Sequence, residues 1–290
     1  MTRSTKPIGL TLLIVCLLTL AFSCGCTGAT TDADTGPEDA GGLRTVTDMH
    51  GRTVELPATI ERVVVIDDGF VEGILYRFGM QDRVVGLGGA WIKDYTYTFE
   101  TTDGTTYEYK NGMNPVRYLI PELADLPVLV ETGTAINYET LASLDPDVII
   151  LREGAWAFSA GSDEALKKTV TTIESLGIPL VILVGPPFQE SPTIDHISEE
   201  IRLVGEVFSR EEDADTLASY LDNQIKEIRK RTADVPEDEK PRMMQLGLSP
   251  RARQGGGAGM AWGGDTIESY FIEEIANAKN AYEGTGAFVV

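Results

Sequence analysis

Glu61-Arg62-Val63-Val64-Val65-Ile66-Asp67-Asp68-Gly69-Phe70 is the stretch on which the fold turns. Glu61 to Ile66 ends in four β-branched residues with no polar residue alternating among them. That is the pattern of a strand buried on both faces of a parallel sheet. Asp67-Asp68-Gly69 breaks the run, and Phe70 to Phe78 continues as a helix that Gly79 closes. Downstream the unit repeats. Arg83 to Leu87 predicts the next strand, Val128 to Val130 a short one, Tyr138 to Leu144 a short helix and Val148 to Leu151 a strand. Leu166, Val170, Ile173 and Leu176 share a helical face that ends at Gly177, and Leu180 to Val184 is again a strand. One interruption stands out. Tyr95 to Glu100 and Thr105 to Tyr109, joined through Thr102-Asp103-Gly104, read as an inserted β-hairpin. Strands alternating with helices imply a mainly parallel sheet covered on both sides.

Past Ile194 the rhythm changes, with hardly a strand candidate before Ala233. Ile197, Ile201, Val204 and Phe208 make one helical stripe; Ala214, Leu217, Ala218, Leu221, Ile225 and Ile228 make another, long for a crossover helix. After Pro236-Glu237-Asp238-Glu239, Arg242 to Leu248 reads as a strand, then comes a Gly-rich loop and a helix from Thr266 to about Ala278. The expected organisation is an N-terminal α/β lobe over residues 44–190 with the insertion at about 91–113, inter-lobe helices over 191–235, and a partial C-terminal α/β lobe over 236–290. One strand and one helix cannot cover a sheet, so Met243, Leu246, Ile272 and Ile275 are expected to lack cover, and the second lobe reads as truncated at Val290.

Upstream of the first strand, Arg44 to Asp48 and Arg52 to Leu56 flank His50-Gly51 as a hairpin. Ahead of that lie a basic start (Arg3, Lys6) and an apolar stretch from Ile8 to Phe22, short for a membrane span and ending in small residues. Residues 1–26 therefore read as a secretory signal, and Cys26 after Gly25 fits a lipobox better than Cys24 does; an uncleaved anchor is the alternative. Either way the body lies outside the cytoplasm, on the lipoprotein reading tethered to the outer face of the cell membrane. Residues 27–43, rich in Thr, Ala, Asp and Gly, form a flexible tether. All three cysteines (Cys16, Cys24, Cys26) precede the body, which excludes a disulfide framework, a thiolate metal site and a cysteine nucleophile there. The formal net charge of −21 argues against nucleic acid and anionic lipid as partners.

Two segments carry a resemblance. Thr47-Asp48-Met49-His50-Gly51-Arg52-Thr53-Val54-Glu55-Leu56-Pro57, followed by Glu61 to Val64, resembles the opening of extracytoplasmic substrate-binding proteins of ABC importers, in the branch that serves ferric siderophores, haem and cobalamin. Asn137-Tyr138-Glu139-Thr140-Leu141-Ala142-Ser143-Leu144-Asp145-Pro146-Asp147-Val148-Ile149-Ile150 looks like that branch's second signature. The resemblance implies two Rossmann-like lobes joined by a long rigid helix, ligand bound between them, and a protein that binds and delivers without chemistry. It implies as partners an ABC permease with its ATPase subunits. It also implies that Glu139 docks on permease arginines, although a first-turn Glu beside an Asn137 cap has a helix-stabilising role of its own. The insertion from Trp91 to Met113 departs from compact members of that branch.

Ligands of open α/β sheets sit beyond the carboxyl ends of the strands. The loops that end so here hold Asp67 and Asp68, Trp91, and Arg152 with Trp156; Arg251 and Trp262 lie in the C-terminal part. Trp and Arg together suit a flat, partly anionic metal chelate or a corrinoid, held by stacking and charge-assisted bonds rather than as a permanent cofactor. Asp67 and Asp68 could equally cap the following helix. Only His50 and His196 are present, both expected to be solvated, which is too few for a bare zinc or manganese site. Gly257-Ala258-Gly259 is followed by Trp262 where a nucleotide loop needs Gly, and no Gly-x-Ser-x-Gly occurs. An exported carboxylate-dependent hydrolase and a surface sensor of the same fold remain as alternatives.

Overall fold

The structure, a computed structural model, describes residues 42–89, 92–93, 96–100, 103–110, 114–130, 136–155, 158, 162–247 and 259–289. Its centre is a five-stranded sheet of β3 (Val63–Ile66), β4 (Val84–Gly89), β7 (Val128–Val130), β8 (Val148–Glu153) and β9 (Leu180–Val184), in the order β7-β4-β3-β8-β9 and parallel throughout. All four residues of β3 are fully buried because the sheet has a core on each face. Val63 and Val65 point to one face, against Leu75 of α1 (Phe70–Arg77), Val204 of α5 (Asp195–Val207) and Ala218 of α6 (Glu211–Thr232). Val64 and Ile66 point to the other, against Leu141 of α3 (Tyr138–Ser143) and Ile173 of α4 (Asp163–Ser175). Successive strand residues face opposite ways, so a strand covered on both sides has no polar positions. Each such side chain contributes about 1.5–3 kcal/mol by leaving water.

The two signature segments are joints of this body. β1 (Leu43–Thr47) and β2 (Thr53–Pro57) pair antiparallel, with Val46, Val54 and Leu56 turned inward. At their turn the buried Asp48 carboxylate accepts from the amides of His50 (3.0 Å), Arg52 (2.9 Å) and Ile182 (3.3 Å) and from Arg52 Nε (2.9 Å). Met49 N–H donates to Ile182 O and Arg52 Nη2 to Leu180 O, so the hairpin end closes the open edge of β9. In the second signature Asp147 accepts from the amides of Glu61 (2.7 Å) and Arg62 (2.8 Å), which locks the start of β8 to the start of β3.

The inserted hairpin is β5 (Thr96–Glu100) paired antiparallel with β6 (Thr106–Lys110), and the chain returns through α2 (Val116–Leu119). Helices α5 and α6 pack closely: a Cβ at Gly205 would stand 2.2 Å from that of Ala214. The 22 residues of α6 span about 33 Å at 1.5 Å per residue. Acidic residues in its first turn and basic ones in its last complement the helix dipole. Ala214 and Ala218 of α6 belong to the main core, whereas Ile225 joins Ile194 and Ile275 in a small separate one.

The C-terminal part differs from its sequence reading. The expected strand from Arg242 to Leu248 is two short strands, β10 (Arg242–Met243) and β11 (Leu246–Gly247). The expected helix is one turn of α7 (Ile267–Tyr270), then a π-helical turn over Phe271–Ile275. β11 pairs antiparallel with β12 (Met260–Trp262), which pairs with β14 (Ala287–Val289), while β10 pairs parallel with β13 (Lys279–Asn280). Met243 and Leu246 are exposed as expected. Ile272 and Ile275 are buried, contrary to expectation: Ile275 packs in the small core on α6, where Arg229 donates to Glu274 O and Asn277 to Thr232 O.

Candidate functional site

From β3 the chain winds outward through β4 and β7 on one side and through β8 and β9 on the other. The order reverses between β3 and β8, so a crevice opens beyond their carboxyl ends. Asp67 follows the last residue of β3, and Arg152 is the next-to-last residue of β8. The structure brings these two and Asp68 together.

Arg152 sits at the centre. Its Nε and Nη2 donate to the two oxygens of Glu200, at 2.5 and 2.9 Å, and Nη1 lies 3.7 Å from Asp67 Oδ1. Its guanidinium stacks on the Phe70 ring at 4.4 Å from the centroid. Glu200 reaches in from α5 and is fully buried; the Arg152 side chain is 16% exposed. Burial alone lowers the Arg152 pKa, but the bonds to Glu200 and the charges of Asp67 and Asp68 outweigh it and raise it. Burial pushes the Glu200 carboxyl up, against the pull of its bonds to Arg152 and of the Arg152 charge.

The fully buried Asp67 uses Oδ2 to accept from Val71 N–H at 2.7 Å in the first turn of α1, so the capping role is realised. One turn on, Glu72 is fully buried, with neither carboxyl oxygen in hydrogen-bond geometry with a partner. Burial holds its pKa well above the ordinary carboxyl range, and the charges of Asp67 and Asp68 add to the effect. Between them the chain turns at Gly69, whose φ of +109° suits glycine; a Cβ there would meet the Asn114 amide at 2.8 Å. Asn114 donates to Asp68 O and accepts from Val116 N–H, tying the return of the insertion to this loop.

On the other flank Glu153 meets Nε2 of His50 at 2.5 Å, and His50 is exposed, as expected. His196 accepts from Thr193 N–H and is half-buried. Gly154, at φ +91°, lies under the 59%-exposed ring of Phe188, which forms the rim beyond β9. Trp262 packs its ring on Gly247 of the neighbouring strand, and no hydrogen bond or ion pair among the described residues joins it to the Arg152 group. Glu139 is exposed on α3, with Asn137 as the cap that accepts from Thr140 N–H at 3.0 Å. Trp91, Trp156, Arg251 and Cys26 lie outside the described residues. Sequence reading missed Glu72, Glu200, Phe70 and Phe188. Glu72 sits at the third helical position of α1, where a glutamate reads as an ordinary cap partner, and Glu200 lies among the charged residues of an amphipathic helix.

Comparison with known proteins agrees with this architecture. Over 213 residues the chain is 26% identical to the molybdate-binding protein MolA of Haemophilus influenzae, covering 69% of this chain and 52% of that one. Over 196 residues it is 21% identical to the uncharacterized ABC transporter substrate-binding lipoprotein YvrC of Bacillus subtilis, with 68% and 49% covered. The chain thus spans about half the length of the curated relatives it matches. The crystal structure of a periplasmic solute binding protein from Veillonella parvula superposes with a TM-score of 0.59 at 19% identity, covering 86% of this chain and 64% of that one. With a family model described as periplasmic binding protein matching residues 73–288, the chain belongs to the periplasmic binding protein family.

Proposed function

We propose that this chain is the substrate-binding component of an ABC importer, an extracytoplasmic lipoprotein anchored through Cys26 that captures a metal chelate and hands it to a permease. The observation that carries the reading is the cluster of Asp67, Asp68 and Arg152 at the reversal point of a parallel sheet, where binding proteins of open α/β design receive ligands. The chelate class comes from the two signature segments and from the Trp residues on the same loops. The lipoprotein name of the Bacillus subtilis relative supports the anchor, which intact mass of the mature protein would display as a lipid on Cys26. A second reading, capture of a molybdate-like oxyanion, is favoured by the name of the Haemophilus relative.

Glu139 is the docking residue in this reading, exposed at the start of α3. Glu139→Ala should lower uptake in a strain with an intact permease and leave the affinity for chelate unchanged. The loss should deepen at higher salt, because rim charges set encounter and register. Unaltered uptake on deleting the whole protein would sink the importer reading and favour a sensor.

A further inference from the structure

We infer that the ligand is positively charged where it meets the floor of this crevice: a cationic metal chelate, not a free oxyanion or a polyanionic one. The inference rests on the binding-protein reading and narrows its ligand. Two features of the floor could have held an anion, and the protein's own carboxylates lie against both. The Arg152 fork is spent on Glu200 through Nε and Nη2, its remaining nitrogen lies nearest Asp67, and its face is covered by Phe70. An anion approaching the Nη1 edge of this arginine would have to come in beside the buried Asp67 carboxylate, and taking the Nε and Nη2 edge would displace a fully buried glutamate from a bidentate pair. The N-terminus of α1 is the other feature, and there the Val71 N–H is taken by Asp67 Oδ2.

The balance of charge has the same sign. Among the described residues around the cluster, Arg152, with His50 on Glu153 and His196 near Glu200, stands against Asp67, Asp68, Glu153 and Glu200. The fully buried Glu72 carboxyl beside them has its pKa raised, first by burial and then by the charges of Asp67 and Asp68, the same negative potential that a ligand would meet. A cation entering here meets that negative potential with favourable sign. An oxyanion meets like-charge repulsion there.

The test is calorimetric titration of the full chain with three probes. They are ferrioxamine B, a ferric trihydroxamate with a free ammonium arm; ferric enterobactin, a trianionic tris-catecholate; and sodium molybdate. The cationic chelate should bind roughly tenfold or more tighter than either anion, and its affinity should fall as salt is raised. Asp67 caps α1, so its removal risks the fold; the variant to use is Asp68→Asn. It should weaken the cationic chelate by roughly tenfold and leave the anions unchanged or improved, with an unchanged melting temperature as the control for folding. Molybdate or the tris-catecholate binding as tightly as ferrioxamine B overturns the inference while leaving the importer reading in place. Binding of none of the three overturns the inference as well, and the importer reading is then decided by the uptake assay alone.

Discussion

Glu72 shows how much a single buried side chain can say about a site. Its carboxyl pKa is raised in the folded protein, so between the unfolded value near 4.3 and the folded one the native state binds more protons than the unfolded chain. The sign follows: stability contributed by the protonated group is complete below the unfolded pKa and is lost as pH rises through the folded one. Glu72→Gln keeps shape and removes the titration. It should therefore gain stability over the parent protein as pH is raised from 5 to 8, by about 1 kcal/mol or ~2–4 °C in melting temperature. A constant difference across that range would show that Glu72 is ionised in the folded protein. Such a residue is invisible in sequence, where the first turn of a helix is the ordinary place for a glutamate. The places of Asp67 and Arg152 at strand ends were legible because strand ends can be located from patterning. Their mutual engagement was not, because Glu200 arrives from a helix 48 residues beyond Arg152.

At the level of elements, the signature segments turn out to be fastenings. Asp48 binds its own turn and the amide of Ile182, and Asp147 binds the start of β3, so both motifs brace the sheet whose far ends carry the crevice. Asp48→Ala should cost about 2–3 kcal/mol, since it strands two turn amides and leaves Arg52 with Glu174 as its remaining carboxylate partner. Chemical denaturation checks the loss. Ligand affinity should hold in the folded fraction, because the crevice residues keep their own bonds; a fall in affinity without a fall in stability would place Asp48 in the binding function instead. Strand positions were readable wherever the run was β-branched and bounded by turn residues, as in β3, β8 and β9. The same rule failed over Arg242 to Leu248, because a run of the right composition fixes a strand only when a partner of matching length lies beside it. β13 offers β10 two residues, and β12 continues from β11 for two more.

Across the whole molecule the two ends of α6 define different regimes of stability. Its first half is part of a core that runs under the parallel sheet and includes Val63, Leu75, Val181 and Val204, all fully buried. Its second half meets the C-terminal part through Ile225, Ile275 and a few polar bonds from Arg229 and Asn277. Residues with many buried apolar neighbours exchange their amides only through global opening, whereas short strands with one exposed face exchange through local opening. Amides of β3, β8 and β9 should therefore be protected by the full stability of the protein. Those of β10 and β11, beside the exposed Met243, Met244 and Leu246, should exchange orders of magnitude faster. Hydrogen exchange read by mass spectrometry separates the two. Addition of a chelate that bridges the crevice and the C-terminal part should slow exchange over Met260–Trp262 and Lys279–Asn280, because a ligand bound to the native state alone lowers the population of every opening that releases it. Slowing confined to the loops after β3 and β8 would mean that the ligand is held by the parallel-sheet body without help from the C-terminal strands.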